Sequence, residues 1–93
     1  MPYYIRGNYL CDFKLPNGIL VEAKGYFDTR AQVKMKAVKK ENPHLDIRFV
    51  FMNANTKLRK GSKMTYADWC DKYGFPWAEK TIPLEWWKEK KKQ

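Results

Sequence analysis

Apolar and polar positions alternate over residues 8–14 and again over 19–24, and the Leu15-Pro16-Asn17-Gly18 string between them carries turn chemistry, so the two stretches read as a hairpin. Asp28 or Thr29 can cap a helix over about 29–41, in which Ala31, Met35 and Val38 form an apolar stripe among Arg30, Lys34, Lys36, Lys39 and Lys40. Asn42-Pro43 ends it. Residues 46–52 gather β-branched and aromatic side chains and read as a buried strand, followed by a polar loop over 53–64 with Gly61-Ser62 at its basic centre. Thr65 with Asp68 three residues on has the spacing of a capping box for a short helix that stops at Gly74. A connector containing Pro76 and Trp77 leads to a last helix with Pro83 in its first turn. That helix carries Trp86 and Trp87 and frays into the lysine-rich residues 88–93. The order ββαβαα predicts a compact α+β fold, one domain over residues 1–93 with no linker or internal repeat.

Composition narrows this picture. Ninety-three residues are one domain's worth of chain, so a multidomain enzyme is not expected, while 44% hydrophobic and 16% aromatic content is enough for one core and excludes a disordered basic tail. The longest apolar runs, 49–52 and 19–21, fall far short of the roughly 18 residues a bilayer-crossing helix needs. The Met-Pro-Tyr-Tyr start has no signal-peptide pattern, and the expectation is a cytoplasmic, unprocessed chain with no membrane partner. Cys11 and Cys70 lie far apart without CxxC or Cys/His spacing, so neither a disulfide nor a zinc site is expected. Nineteen Lys and Arg against ten Asp and Glu leave a net charge of +9, a field that favours a polyanion, and nucleic acid is the commonest one in a cell. The cations cluster over 30–40, 57–63 and 88–92. Any one of these clusters can simply solvate a surface; together they suggest phosphate binding, with Arg30, Lys34 and Lys36 on the helix and Lys57, Arg59, Lys60 and Lys63 in the loop as candidates.

The turn decides which side chains share a face. A two-residue Asn17-Gly18 loop would send Asp12 and Glu22 to opposite faces. A three-residue loop, with Pro16 first in a type I turn and Gly18 in the left-handed bulge position, pairs Leu15 with Ile19, Phe13 with Val21 and Cys11 with Ala23. That choice makes one apolar face, expected to pack on the basic helix. It places Asp12 opposite Glu22 on the other face, with Lys14 beside Asp12 and Lys24 two residues beyond Glu22. Opposed carboxylates repel, and a divalent cation held by oxygen ligands would compensate; Mg²⁺ or Mn²⁺ suits such a set. Lys24 then sits where it could orient or deprotonate an attacking water, or neutralise charge on a phosphoryl transition state. By composition alone the same face reads as the wet side of an amphipathic hairpin, with Lys14 and Lys24 offsetting the acids.

Asp12, then Glu22-Ala23-Lys24 after nine residues, resembles the PD-(D/E)XK nuclease signature. The surrounding text is more specific: Asp12-Phe13, Leu15-Pro16-Asn17-Gly18-Ile19, Val21-Glu22, Lys24-Gly25, Leu45-Asp46-Ile47-Arg48, Thr56-Lys57-Leu58, Lys60-Gly61-Ser62, Ile82-Pro83 and Glu85-Trp86. Together these resemble the endonuclease I family of T-seven type phages, Holliday-junction resolvases, from about Tyr3 to the C-terminal lysines. The resemblance implies a restriction-endonuclease-like core. It also implies Mg²⁺-dependent phosphodiester hydrolysis on branched DNA, with Asp12, Glu22 and the Ala23 carbonyl as metal ligands and Lys24 as the catalytic lysine. Cys11 stands where the family motif has proline. The family's N-terminal helical segment, which gives a further active-site glutamate to the partner subunit of an intertwined dimer, has no counterpart in this text. The expectation is therefore a three-ligand site, acting alone with one metal ion or completed by a partner chain, and a weak, non-exchanged homodimer in which residues 3–9 pair as an edge strand with a second copy, so that each site nicks independently.

The leading reading is thus a metal-dependent DNA endonuclease that nicks or resolves branched DNA in the host cytoplasm. The runner-up is a non-catalytic DNA-binding or regulatory relic of a junction resolvase; an RNA-binding module finds no RNP or KH signature in the chain. The aromatic residues Tyr3, Tyr4, Tyr9, Trp69, Trp77, Trp86 and Trp87 are assigned to packing.

Overall fold

Two crossovers build the sheet in the computed structural model, which describes residues 3–5 and 9–89. Strands β1 (Tyr3–Ile5) and β2 (Tyr9–Cys11) pair with each other, and β3 (Phe13–Lys14) pairs antiparallel with β4 (Leu20–Lys24). Helix α1 (Thr29–Glu41) returns the chain to β5 (Ile47–Phe51), parallel to β4, and α2 (Tyr66–Tyr73) returns it to β6 (Trp77–Glu79), parallel to β5. A short α3 (Leu84–Lys88) closes the described chain. The four-stranded order is β3-β4-β5-β6, and the fold is α+β as the hydrophobic pattern predicts. Both crossovers progress in the same direction along the sheet, so a common hand lays α1 and α2 on the same face.

The local signals act as read. Leu15 N donates to Ile19 O at 2.8 Å and Gly18 N to Leu15 O at 2.9 Å, and Gly18 takes φ 92°, a left-handed conformation that glycine adopts without a Cβ penalty. The three-residue loop is therefore the one formed, with Phe13 across from Val21. Asp28 caps α1 through its Oδ1, which accepts from Ala31 N at 2.9 Å, and Met35 and Val38 are buried beneath it. The capping box is complete: Asp68 N donates to Thr65 Oγ1 at 3.1 Å and Thr65 N to Asp68 Oδ2 at 3.0 Å. Cys11 and Cys70 are both free thiols in the core.

Three expectations need correction. The face carrying Leu15, Ile19 and Val21 does not pack on α1; it meets Val50 and Trp86 of α3 in a second, smaller core. Helix α1 covers the opposite face, where Leu20 joins Phe27, Met35, Ile47, Phe49 and Phe51. The reason is topological, because a crossover from β4 to a parallel neighbour fixes which face its helix covers whatever the turn arranges. Cys11 also leaves the Leu15 face for the α1 core, since the strand breaks at Asp12 and the alternation is reset. Finally, the connector at Pro76-Trp77 is strand β6, held by Phe49 N to Pro76 O at 3.0 Å and Lys80 N to Phe51 O at 2.7 Å, and Pro83 stands just before α3. A three-residue edge strand is too short to show a period in the sequence.

Phe27 anchors the larger core, its ring centre 4.8 Å from that of Trp69 and 5.3 Å from that of Phe49. Trp69 and Trp86 are core residues as assigned, whereas Trp77 and Trp87 are exposed; the side chains of Tyr3, Tyr4 and Tyr9, and residues 90–93 of the tail, lie outside the described residues. Arg48, on the α3 face of β5, is 6% exposed and makes a double clasp. Its guanidinium donates to both Asp46 oxygens at 2.8 Å and to Glu89 at 2.6 and 2.8 Å, while lying 5.2 Å over the Trp86 ring. These bonds, to Glu89 above all and then to Asp46, hold its pKa above the ordinary arginine value. Asn17 Nδ2 adds bonds to Trp86 O at 2.6 Å and Glu89 O at 3.0 Å, tying α3 to the hairpin turn.

Removing one partner of a largely buried ion pair strands the other, so Arg48→Ala is expected to cost about 3 kcal/mol of unfolding free energy in urea titrations. A loss below about 1 kcal/mol would reduce the clasp to a surface contact. A pH effect follows from Cys70, whose thiol burial, and then the Asp71 charge, push from 9.0 up to about 12. The native chain keeps a proton that the unfolded chain releases above pH 9, so stability should fall as pH rises from 9 towards 12. Cys70→Ala should flatten that limb in denaturation midpoints measured at pH 8 and pH 10.5; an unchanged slope refutes the attribution.

Candidate functional site

The break between β2 and β3 places Asp12 at a bend, half-buried, beside the middle of β4. Its Oδ2 accepts from Ala23 N at 2.8 Å, which uses one of the four lone-pair positions of a carboxylate. Strand backbone groups alternate between edges. Leu20 N donates to Asp46 O and Lys24 O accepts from Met52 N, so even-numbered residues of β4 bond β5 and odd-numbered ones face the β2–β3 side. The Ala23 carbonyl therefore lies on the same edge as its N–H, the edge occupied by Asp12.

Glu22 and Lys24 alternate onto the α1 face with Leu20. Glu22 is 5% exposed, because α1 and the aromatic core cover that face, and the wet hairpin face of the amphipathic reading is dry at this point. Lys24 Nζ lies 3.4 Å from Glu22 Oε1, an ion pair with one end sealed and the other opening to solvent. Lys14 is exposed on the edge strand. The structure thus brings Asp12, Glu22, Ala23 and Lys24 together through one hydrogen bond and one strand repeat. Among the described residues no three His, Cys, Asp or Glu side chains converge, so the donors that could hold a cation are the Asp12 and Glu22 carboxylates and the Ala23 carbonyl. All three are hard oxygens, a set that fits Mg²⁺ or Mn²⁺ and not a thiophilic metal.

Past Lys24 the chain enters an open groove of about 610 Å³, lined by Gly25, Tyr26, residues 56–61 and Tyr66. The loop is shaped, since Lys57 bridges Thr65, Leu58 N donates to Met64 O at 2.9 Å, and Gly61 turns at φ 83°. Lys57, Arg59, Lys60 and Lys63 are all exposed on it. Arg30 and Lys34 are exposed on α1, and Lys36 belongs to a different hollow of about 220 Å³ with Lys39, Lys40, Tyr73 and Phe75. There Lys36 lies 4.7 Å over the Tyr73 ring and, by hydrogen bonding, draws the Tyr73 hydroxyl below the ordinary phenol value. Sequence reasoning missed Tyr26 and the Arg48 clasp. An aromatic directly after Lys24-Gly25 was a visible signal for the first; an arginine inside an apolar strand was the signal for the second.

Fold and site define an α+β chain with an acid at a strand break, acid-X-lysine on the adjacent interior strand and a basic groove at that strand's end. The family model for phage endonuclease I matches residues 2–93, and the chain belongs to that family. Over 96 aligned residues it is 45% identical to Endonuclease I of Escherichia phage T7 and 43% identical to Endodeoxyribonuclease 1 of Enterobacteria phage T3. The alignments take in 100% of this chain and 64% and 63% of the two relatives, so the chain spans just under two thirds of their length.

If the loop at 57–63 contacts phosphates, each contact removed should reduce the magnitude of the log K against log salt slope by about 0.9 on duplex DNA. Alanine at Lys57, Arg59, Lys60 and Lys63 together is expected to weaken DNA binding in fluorescence anisotropy and flatten that slope. Alanine at Arg30, Lys34 and Lys36 supplies the comparison for the helix. Affinity and slope both unchanged in the loop variant would remove it from the interface.

Proposed function

We propose that this chain is a metal-dependent DNA endonuclease acting on nicked or branched DNA in the cytoplasm of the host cell. The observation that carries the reading is the Asp12 to Ala23 N bond, which sets one carboxylate against the strand that bears the second carboxylate and the lysine, at the mouth of a basic groove. The printed names of the relatives, an endonuclease and an endodeoxyribonuclease, support the class of reaction.

Hydrolysis forms a bond from water oxygen to phosphorus and breaks the bond to one sugar oxygen, which leaves with a proton. A divalent cation bound by Asp12, Glu22 and the Ala23 carbonyl would supply Lewis-acid polarisation of the phosphodiester. Lys24 acts from the same strand: its ammonium, held in place by Glu22, stabilises the charge that builds on the phosphoryl oxygens. The sealed position of Glu22 limits competing water and strengthens that interaction. The loop lysines and arginine hold flanking phosphates. A weak homodimer belongs to the reading, but residues 3–9 are not the single edge strand expected to pair with a second copy, because Tyr3–Ile5 pairs with Tyr9–Cys11 within the chain.

A non-catalytic relic is the alternative that the small donor set keeps open, since among the described residues no third acidic, His or Cys side chain joins Asp12 and Glu22. Supercoiled plasmid, linear duplex and a synthetic four-way junction, each incubated with Mg²⁺, Mn²⁺ or EDTA, separate the two. Metal-dependent nicking, abolished by EDTA and reduced below detection in Asp12→Ala and Glu22→Gln, is the expected result, with DNA affinity retained. Lys24→Ala should lower the single-turnover rate roughly 10²- to 10³-fold at unchanged affinity, as for other groups that act mainly in the transition state. DNA binding without cleavage under any metal favours the relic.

A further inference from the structure

We propose that Tyr26 is a base-stacking residue, and that the groove it shares with the 57–60 loop is a nucleotide subsite for an unpaired base next to the cleaved bond. The inference rests on the endonuclease reading only for the last clause; the subsite itself is argued from geometry. Tyr26 is 76% exposed, the most exposed large aromatic residue among those described. It stands two residues after Lys24, so whatever occupies it is a neighbour of whatever occupies the catalytic strand.

Its backbone is held, not loose. The next residue, Phe27, is fully buried among Phe49, Phe51, Tyr66 and Trp69, its N–H donates to Tyr66 Oη at 3.1 Å, and its carbonyl accepts from Gln32 Nε2 at 3.0 Å. An aromatic ring carried out of a core by a fixed neighbour loses little freedom on binding a flat partner, and that lowers the entropic cost of stacking. Gly25 on its other side has no side chain to crowd the approach.

The loop residues lining the same groove supply the other half of a nucleotide's chemistry. Lys57, Arg59 and Lys60 are exposed there, and no acidic side chain among the described residues pairs with any of them. At about 610 Å³ the groove is within the range of small-ligand sites and holds a nucleotide with room for its flanking phosphates. Exposed cations and an exposed ring lining one groove match the phosphates and the base of one nucleotide. In an intact duplex both faces of a base are covered by its neighbours, so a ring can stack only where a base is unpaired or at a break in the stack. The subsite therefore favours DNA with a local interruption over continuous duplex.

Binding is measured in EDTA, by anisotropy, with three labelled probes: a fully paired duplex, the same duplex with one unpaired 2-aminopurine, and a single-stranded 12-mer. The parent is expected to quench 2-aminopurine. Tyr26→Ala should lose the quench and roughly tenfold in affinity for the unpaired-base and single-stranded probes, with less than a twofold change on the paired duplex. Tyr26→Phe should behave as the parent, because stacking needs the ring and not the hydroxyl. Equal losses of Tyr26→Ala on all three probes, or a Tyr26→Phe variant as weak as Tyr26→Ala, would overturn the proposal. Cleavage assays on the same proteins keep the two readings apart: a parent that quenches yet never cuts retains the subsite and loses the nuclease, and metal-dependent cutting with no effect at Tyr26 does the reverse.

Discussion

The interior position of β4 constrains everything else in the molecule. It bonds β3 on one edge and β5 on the other, and its two faces are covered by different parts of the chain, α1 with its aromatic core on one side and α3 on the other. A slip of one residue against either neighbour would drive Glu22 and Lys24 into the space of Val21 and Ala23 and turn Leu20 the wrong way. Five residues, four of them apolar or buried, are thus enough to fix where an acid and a lysine stand. The site needs little support of its own, because the packing that holds the sheet already holds it.

Asp12 comes from the one place where that regularity is interrupted. A continuous ladder would set Asp12 opposite Glu22, and a carboxylate pair in that position is unfavourable. The bend relieves it by turning the Asp12 carboxylate to a backbone donor, Ala23 N, one residue further along. The hydrogen bond gives the carboxylate a backbone partner and fixes its distance from β4 at the same time. Local repulsion and local geometry are settled by one contact.

The parts of the fold legible in the sequence are those decided within a few residues. Pro16 and Gly18 specify the loop and with it the pairing of Phe13 with Val21; Asp28, and Thr65 with Asp68, specify helix starts; the run Ile47–Phe51 declares a buried strand. What was not legible is decided at long range. Which face of the hairpin meets which helix depends on the crossover hand, and nothing inside 8–24 carries it. Strand β6 exists because β5 offers it an edge, and its three residues have no period of their own. Arg48 reads as an interruption in an apolar strand until Glu89, forty-one positions away, and Asp46 are brought to it. The candidate site divides the same way: the residues Asp12, Glu22 and Lys24 could be named from their spacing together with the family resemblance, but the burial of Glu22 could not.

The distribution of positive charge follows from the same division of labour. A net charge of +9 overstates what is free to meet a polyanion, because several cations are engaged by the fold. Lys39 and Lys40 lie in the last turn of α1 and Lys72 in the last turn of α2, where they complement the helix dipoles. Lys39 also donates to Gly74 O at 2.8 Å and sits 4.5 Å over the Phe75 ring, Lys36 is drawn to Tyr73, and Arg48 is enclosed by two carboxylates. The loop at 57–60 is different, since its cations serve no helix end and pair with no acid among the described residues. Their placement costs the fold nothing in ion pairing, and it sets exposed positive charge in the groove that follows β4. A basic chain can in this way keep two carboxylates on and beside an interior strand: the loop carries the exposed cations and the strand carries an acid and its lysine, and the two meet at Lys24 and Gly25, where the strand ends and the groove begins.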